Sequence, residues 1–288
     1  EETLRELSFF GRMVYTYDNK YTLMGVFRQN GSSALAQGKK WGFFPGVSGS
    51  WLVSNENFLK DNNSISELKL RGGWGKTGNA SGIPFYSSYN LERLNQDGGS
   101  WSTYQWGTDT AWEVTTDTNF GVDLGLLNNR IKFSADFYKR TTDDLIMPIE
   151  IGPTIGNILR NVGSMENKGM EFTLNTANIK NENFTWNTNF NISFNKNKIT
   201  SLKYMENIDK AGIEGMGKLV LLTTGQAVGT FFGYKVEGVD PATGNIIYAD
   251  VNGNGIKNIG PNGEVFDTGD RTFIGDPNPD YTFGFSNN

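Results

Sequence analysis

Phe184-Thr185-Trp186-Asn187-Thr188-Asn189-Phe190-Asn191-Ile192-Ser193-Phe194-Asn195 alternates residue by residue. Phe184, Trp186, Phe190, Ile192 and Phe194 share one parity. Thr185, Asn187, Asn189, Asn191, Ser193 and Asn195 share the other. Successive side chains of an extended chain point to opposite faces. This stretch therefore predicts a strand with one aromatic, apolar face and one face of amides and hydroxyls.

The same period recurs in both directions from it. Ile131, Phe133, Ala135 and Phe137 alternate with Lys132, Ser134, Asp136 and Tyr138. Met170, Phe172 and Leu174 alternate with Glu171, Thr173 and Asn175. Phe120, Val122, Leu124 and Leu126 alternate with Gly121, Asp123 and Gly125. Leu68, Leu70 and Trp74 stand between Lys69, Arg71, Gly73 and Gly75, and Met13, Tyr15, Tyr17, Tyr21, Leu23 and Phe27 flank Asp18-Asn19-Lys20. About nine strands result, with a short helical turn expected only across 55–60.

The links between the strands narrow the choice. Tight turns are expected at Asp18-Asn19-Lys20, Asn128-Asn129 and 178–181, because Asn tolerates the positive φ that short hairpins need. Long connections are expected across 75–111, 142–162 and 197–280. In chain order the links read short, medium, short, long, short, long, short, very long. Membrane barrels carry short turns on one rim and long loops on the other, whereas an ordinary half-wet antiparallel sheet has no reason to alternate so regularly. The expectation is an all-β, antiparallel transmembrane β-barrel segment.

Composition agrees. Hydrophobic residues make up 37% and aromatics 13% of 288 residues, with 36 Gly and 8 Pro. Aliphatic bulk is thus scarce while rings are plentiful, as in a wall whose apolar layer occupies every second position. No apolar run reaches the roughly 18 residues of a membrane helix, but a barrel strand needs only about 9–11. Mean hydropathy of -0.45 fits either a barrel or a soluble chain. The chain has no Cys and no His, which removes disulfides, thiolate metal sites and the usual general base. A net charge of -5 argues against nucleic-acid binding. The chain opens Glu1-Glu2-Thr3 without Met, and Tyr281, Phe283 and Phe285 begin a strand near its end. It is expected to be an internal piece of a longer protein.

Several short stretches carry a resemblance. They are Phe10-Gly11-Arg12-Met13-Val14-Tyr15-Thr16-Tyr17, Lys20-Tyr21, Arg28-Gln29-Asn30-Gly31-Ser32-Ser33 and Trp41-Gly42-Phe43-Phe44-Pro45. Further along stand Leu68-Lys69-Leu70-Arg71, Gly75-Lys76-Thr77-Gly78-Asn79, Trp112-Glu113 and the run from Phe120 through Asn128-Asn129-Arg130. Asn161-Val162-Gly163, Asn167-Lys168-Gly169-Met170-Glu171-Phe172, Asn195-Lys196-Asn197-Lys198-Ile199 and Gly233-Tyr234 complete the set. In this order the chain resembles the SusC/RagA family of TonB-linked outer-membrane transporters over nearly its whole length. One departure is Gln29-Asn30-Gly31, where the family more often has Asp before the Gly.

The resemblance implies a barrel of about 22 strands with a plug domain in its lumen. Residues 1–288 would be part of its wall, with the plug, the TonB box and the last strands elsewhere. It also implies import of a large nutrient, an oligosaccharide or a peptide, across the outer membrane. TonB, a SusD-like surface lipoprotein and membrane lipid would be the partners, and no cofactor is required.

Candidate chemistry is sparse. Asp250-Val251-Asn252-Gly253-Asn254-Gly255 opens like a calcium loop, D-x-[DN]-x-[DN]-G, with Ile256 offering a carbonyl. Position twelve is Pro261, so Asp267 or Asp270 would have to complete the shell of a structural Ca²⁺. The alternative is an Asn/Gly-rich turn without metal. Trp101, Tyr104 and Trp106, near Tyr86 and Tyr89, suit stacking on sugar rings, or else packing and the interfacial aromatic belt. Asp143-Asp144 would face opposite ways at a solvated strand end, so no acid–base pair is expected. Gly72-Gly73-Trp74-Gly75 lies in a strand and not at a strand-to-helix junction, which argues against a phosphate loop. An enzyme is therefore not expected. A soluble carbohydrate-binding β-module is the alternative function.

Overall fold

The computed structural model describes residues 3–84, 91–94, 101–105, 109–150, 157–203, 207–213, 217–255 and 268–288. In chain order the strands begin β1 (Glu6–Tyr17), β2 (Tyr21–Ser32), β3 (Trp41–Leu52), β4 (Ile65–Asn79), β5 (Leu91–Leu94) and β6 (Trp101–Gln105). They continue β7 (Glu113–Leu126), β8 (Ile131–Glu150), β9 (Asn157–Lys180), β10 (Thr185–Leu202), β11 (Asn207–Ile213) and β12 (Gly217–Thr223). Last come β13 (Phe231–Tyr234), β14 (Val236–Val239), β15 (Ile246–Tyr248), β16 (Arg271–Gly275) and β17 (Thr282–Asn287). Two compact units result, one of residues 1–197 with 280–288 and one of residues 198–279.

The first unit holds a nine-stranded sheet in the order β1-β2-β3-β4-β7-β8-β9-β10-β17. Through the middle of β4, β7, β8 and β9 its register carries the alternation in step, with offsets only at Ile65–Glu67 and from Thr142 to Ile146. Leu70 pairs with Val122, Val122 with Ala135 and Ala135 with Phe172. The neighbouring row runs Arg71, Gly121, Asp136, Glu171. A shift of one residue would exchange these rows between faces, so the two-faced pattern itself fixes the register. On the apolar face Phe172 stacks on Phe133 at 6.2 Å and meets Phe137 edge-on at 6.0 Å. Phe9, Met13, Tyr15, Phe27, Phe43, Phe283 and Phe285 lie exposed on the same side. Water would not tolerate so broad an apolar surface; lipid would.

The connections follow the expected alternation, with corrections. At one edge lie 18–20, 53–64, 127–130 and 181–184; at the other lie 33–40, 80–112 and the β8–β9 link. Asp18, Asn19, Asn128 and Asn129 all have positive φ, as short hairpins demand. Leu127 shares it at 54°, which the sequence did not foretell. Residues 53–64 form a longer link than expected: a 3-10 turn at Val53–Asn55 leads into the short helical turn expected across 55–60, where the Lys60 N–H donates to the Glu56 carbonyl at 2.8 Å. The expected loop 142–162 is mostly strand: β8 and β9 run on to Glu150 and back from Asn157. Within 80–112, β5 and β6 pair as a hairpin.

The turn edge is tied by Glu56. Its carboxylate accepts the Tyr21 hydroxyl and the Trp51 indole N–H, with Lys20 at 3.5 Å. The Tyr21 hydrogen bond first, then that of Trp51, holds the carboxyl below the ordinary glutamate value, and Lys20 adds to it. The ionised form accepts these bonds, so their stabilisation is present above the unfolded-state pKa. It is lost as pH falls through the depressed folded-state value. Below the ordinary glutamate range the melting temperature should fall with acid, and Glu56→Gln should flatten that fall. Equal acid sensitivity of parent and variant would show that Glu56 contributes nothing to it.

The second unit has its own sheet, β11-β12-β13-β16, and a β14-β15 ribbon. These strands lie inside the expected connection 197–280, which is therefore not a plain loop. Ile199, Leu221 and Leu222 are buried in this unit, and Phe232 packs on Phe273 at 5.3 Å. At the ribbon turn the Asp240 carboxylate accepts the Ala242 N–H and the Thr243 hydroxyl, which keeps it below the ordinary aspartate value.

Candidate functional site

The polar face of the nine-stranded sheet is wired across strands. Arg71 on β4 lies over Gly121 of β7 and reaches Asp136 of β8. Its Nη2 meets Asp136 Oδ2 at 2.7 Å and its Nε meets Asp123 Oδ2 at 3.0 Å. Ser134 donates to Asp123 at 2.6 Å. One register step along, Tyr138 of β8 crosses Gly169 of β9, its hydroxyl donating to Asn195 of β10 at 3.1 Å. Arg140 pairs with Asp117 at 2.9 Å. Arg71, Asp117, Asp136, Tyr138, Arg140 and Asn195 wall a recess of about 540 Å³ that also takes in Asn119, Phe137, Asn167 and Glu171. Hydroxyls, amides and paired charges give this face of the sheet a polar lining.

The loop edge is held by a small core. Ala34, Leu35 and Ile83 are buried there, with Ala80, Trp112 and Ile146 packed around them. Lys39 pairs with Asp109 at 2.7 Å and the Trp112 indole donates to the Lys40 carbonyl. Connections 33–40 and 80–112 are thereby joined to the same edge.

The residues singled out in the sequence separate into three groups. Asp250, Asn252 and Asn254 form one tight turn. The Asp250 carboxylate accepts the N–H groups of Asn254 and Gly255, at 3.1 and 2.8 Å, and Asn252 Oδ1 also accepts the Asn254 N–H. Asp270, 1% exposed, accepts the N–H groups of Val251 and Asn252 and so lies against this turn. These acceptors already serve backbone donors. Ile256, Pro261 and Asp267 lie outside the described residues, and among the described residues no cluster of three acidic or other metal-binding side chains occurs. Trp101 and Tyr104 sit on β6, opposite β5, while Trp106, Tyr86 and Tyr89 and the side chains of Trp101 and Tyr104 lie outside what is described.

Asp143-Asp144 differs from expectation. The pair interrupts β8 rather than ending it: Thr142 pairs with Met165, then Leu145 with Gly163, and Asp144 takes a φ of 57°. Gly72-Gly73-Trp74-Gly75 lies within β4, as expected. The Arg71 network and Asn161, described below, were not singled out as functional. Arg71, Asp123 and Asp136 shared a polar parity in the sequence, but their meeting depends on a register across three strands.

Comparison with known proteins accords with this wall. Residues 2–284 match the family model described as TonB dependent receptor-like, beta-barrel. TonB-dependent receptor P3 of Formosa agariphila is 36% identical over 98% of the chain, which spans 30% of that relative. TonB-dependent receptor SusC of Bacteroides thetaiotaomicron is 34% identical over 97% of the chain, which spans 29% of it. Among solved structures, the RagAB peptide transporter superposes with a TM-score of 0.84 at 26% identity, over 99% of this chain and 31% of that one. The relatives are receptors and transporters rather than enzymes, and the soluble-module alternative does not survive the match. The chain belongs to the TonB-dependent receptor-like β-barrel family of the outer membrane.

Proposed function

We propose that the whole protein imports a large nutrient, an oligosaccharide or a peptide, across the outer membrane, with this chain as part of the barrel wall and its loops. The observation that supports it best is the two-faced alternation carried in step through the central rows of β4, β7, β8 and β9 and continued by β10 and β17. It gives lipid an aromatic surface and gives cargo a polar one. Because the chain spans about a third of its relatives, TonB and a SusD-like surface lipoprotein enter as partners by kinship with SusC and RagAB. Residues 1–288 are read as one barrel domain, with 198–279 as an elaborated connection. Trp101, Tyr104 and Trp106 are read as cargo contacts on the 80–112 connection.

The test uses the full-length protein in its host, offered fluorescently labelled oligosaccharides and labelled peptides of matched size. Uptake of one class should vanish on deletion of the gene and on collapse of the proton gradient. Uptake that survives both treatments would overturn the import reading. Calcium at Asp250, Asn252, Asn254, Ile256 and Asp270 is a subsidiary proposal, supported by the placement of Asp270. Titration calorimetry with Ca²⁺ decides it: a saturable heat, lost in Asp250→Ala, is expected, and no heat leaves a metal-free turn.

A further inference from the structure

The geometry points to Asn161 as a positioning residue that clasps the end of the 80–112 connection onto the β8–β9 hairpin. It rests on the import reading only in giving that connection a role with cargo. Asn161 uses its whole side-chain amide. Its Oδ1 accepts the Ala111 N–H at 2.8 Å, and its Nδ2 donates to the Ala111 carbonyl at 3.1 Å and the Asp144 carbonyl at 2.7 Å. Both backbone groups of one loop residue are thus held by one side chain, as a neighbouring strand would hold them.

The local backbone is shaped for this. β8 carries an extra residue at Asp143-Asp144, and β9 carries one at Val162, since Leu145 pairs with Gly163 and Ile146 with Asn161. Bulges of this kind re-aim side chains out of the regular ladder. The positive φ of Asp144 belongs to the first bulge, and the buried Val162 anchors the second. Asn161 is thereby turned toward the returning loop instead of taking a plain place in the sheet. Thr110, 1% exposed, supports the same joint by donating to the Leu159 carbonyl at 3.0 Å. The connection held in this way carries Trp101, Tyr104 and Trp106. Its return at Thr110 and Ala111 is fixed to the long β-ribbon.

Hydrogen exchange read by mass spectrometry on the full-length protein in detergent tests the clasp. In Asn161→Leu, protection of the 109–113 segment should fall about tenfold or more, one net hydrogen bond being near the 1.4 kcal/mol that a factor of ten represents. Protection of 157–170 and the melting temperature should stay as in the parent. Asn161→Asp keeps an acceptor for the Ala111 N–H but loses both donated bonds, so at neutral pH, where a carboxylate faces two carbonyl oxygens, it should lose part of the 109–113 protection. It should regain part of it on acidification, when the neutral acid can again donate. Parental protection of 109–113 in Asn161→Leu would overturn the clasp. Loosening of 157–170 in step with 109–113 would also overturn it, by making Asn161 a residue of strand stability alone. Failure of the loop to bind cargo would leave every one of these exchange results unchanged.

Discussion

Phe172→Arg should destabilise the folded barrel by about 2–4 kcal/mol, the range for Arg on the lipid face at the bilayer midplane. Thr173→Arg, one residue on, should cost far less. Depth sets the first figure. On β8 the apolar parity runs from Ile131 through Phe133, Ala135 and Phe137 and becomes charged at Lys139, which pairs with Lys168. Phe172 pairs with Ala135, in the middle of that band. An Arg there has no water, and the carboxylate on its own face, Glu166, lies six residues along β9 and already pairs with Lys139. It also forfeits the rings of Phe133 and Phe137, contacts each worth about 0.5–1.5 kcal/mol beyond burial. Thr173 pairs with Ser134 on the opposite face, where an added guanidinium meets polar neighbours. Denaturant unfolding of the full-length protein from lipid vesicles measures both. Similar costs at 172 and 173 would mean that the two faces do not divide lipid from water.

How far the sequence could be read follows from the same division. Inside the bilayer the lipid side of every strand must be apolar, so the period stands out, and eight of the nine strands of the sheet were read from it; β3, broken up by Gly, Pro and Ser, was implied only by the order of the links. Beyond the bilayer that constraint ends. β8 and β9 continue through Leu145, Ile146, Ile149, Ile158 and Val162, residues whose burial follows a local core rather than a period of two. The alternation is lost there and the segment reads as loop, although it is strand. The same limit hid the sheet within 198–279. For the site, parity could place Arg71, Asp123 and Asp136 on one face but could not show that they touch. Asn161 stood in a stretch that carried the family resemblance, yet its task depends on two offset bulges that leave no mark in composition. The Asp250 turn was legible because Asn and Gly form such turns from local interactions alone.

Two glycines show where the wall leaves no room for a side chain, and they should respond differently to rescue. Gly169→Ala is expected to cost about 1–3 kcal/mol, the usual range for overpacking. A Cβ there would meet Tyr138, whose ring crosses it toward Asn195, and also the Phe194 backbone carbonyl. The ring can swing away, but the carbonyl belongs to the neighbouring strand, and moving it strains the β9–β10 ladder. Tyr138→Ala should therefore fail to rescue Gly169→Ala. At Gly121 the three nearest atoms all belong to the Arg71 guanidinium. Gly121→Ala acts only by pushing Arg71 off Asp123 and Asp136. Arg71 is about one-third exposed, so the lost pairs are worth less than buried ones, about 1–2 kcal/mol. In an Arg71→Met background Gly121→Ala should then cost almost nothing, which a double-mutant cycle reads directly. Additive costs at Gly121 and Arg71 would mean that the glycine is kept for its backbone. Coupled costs would mean that it is kept as the opening through which one strand's arginine reaches the next but one.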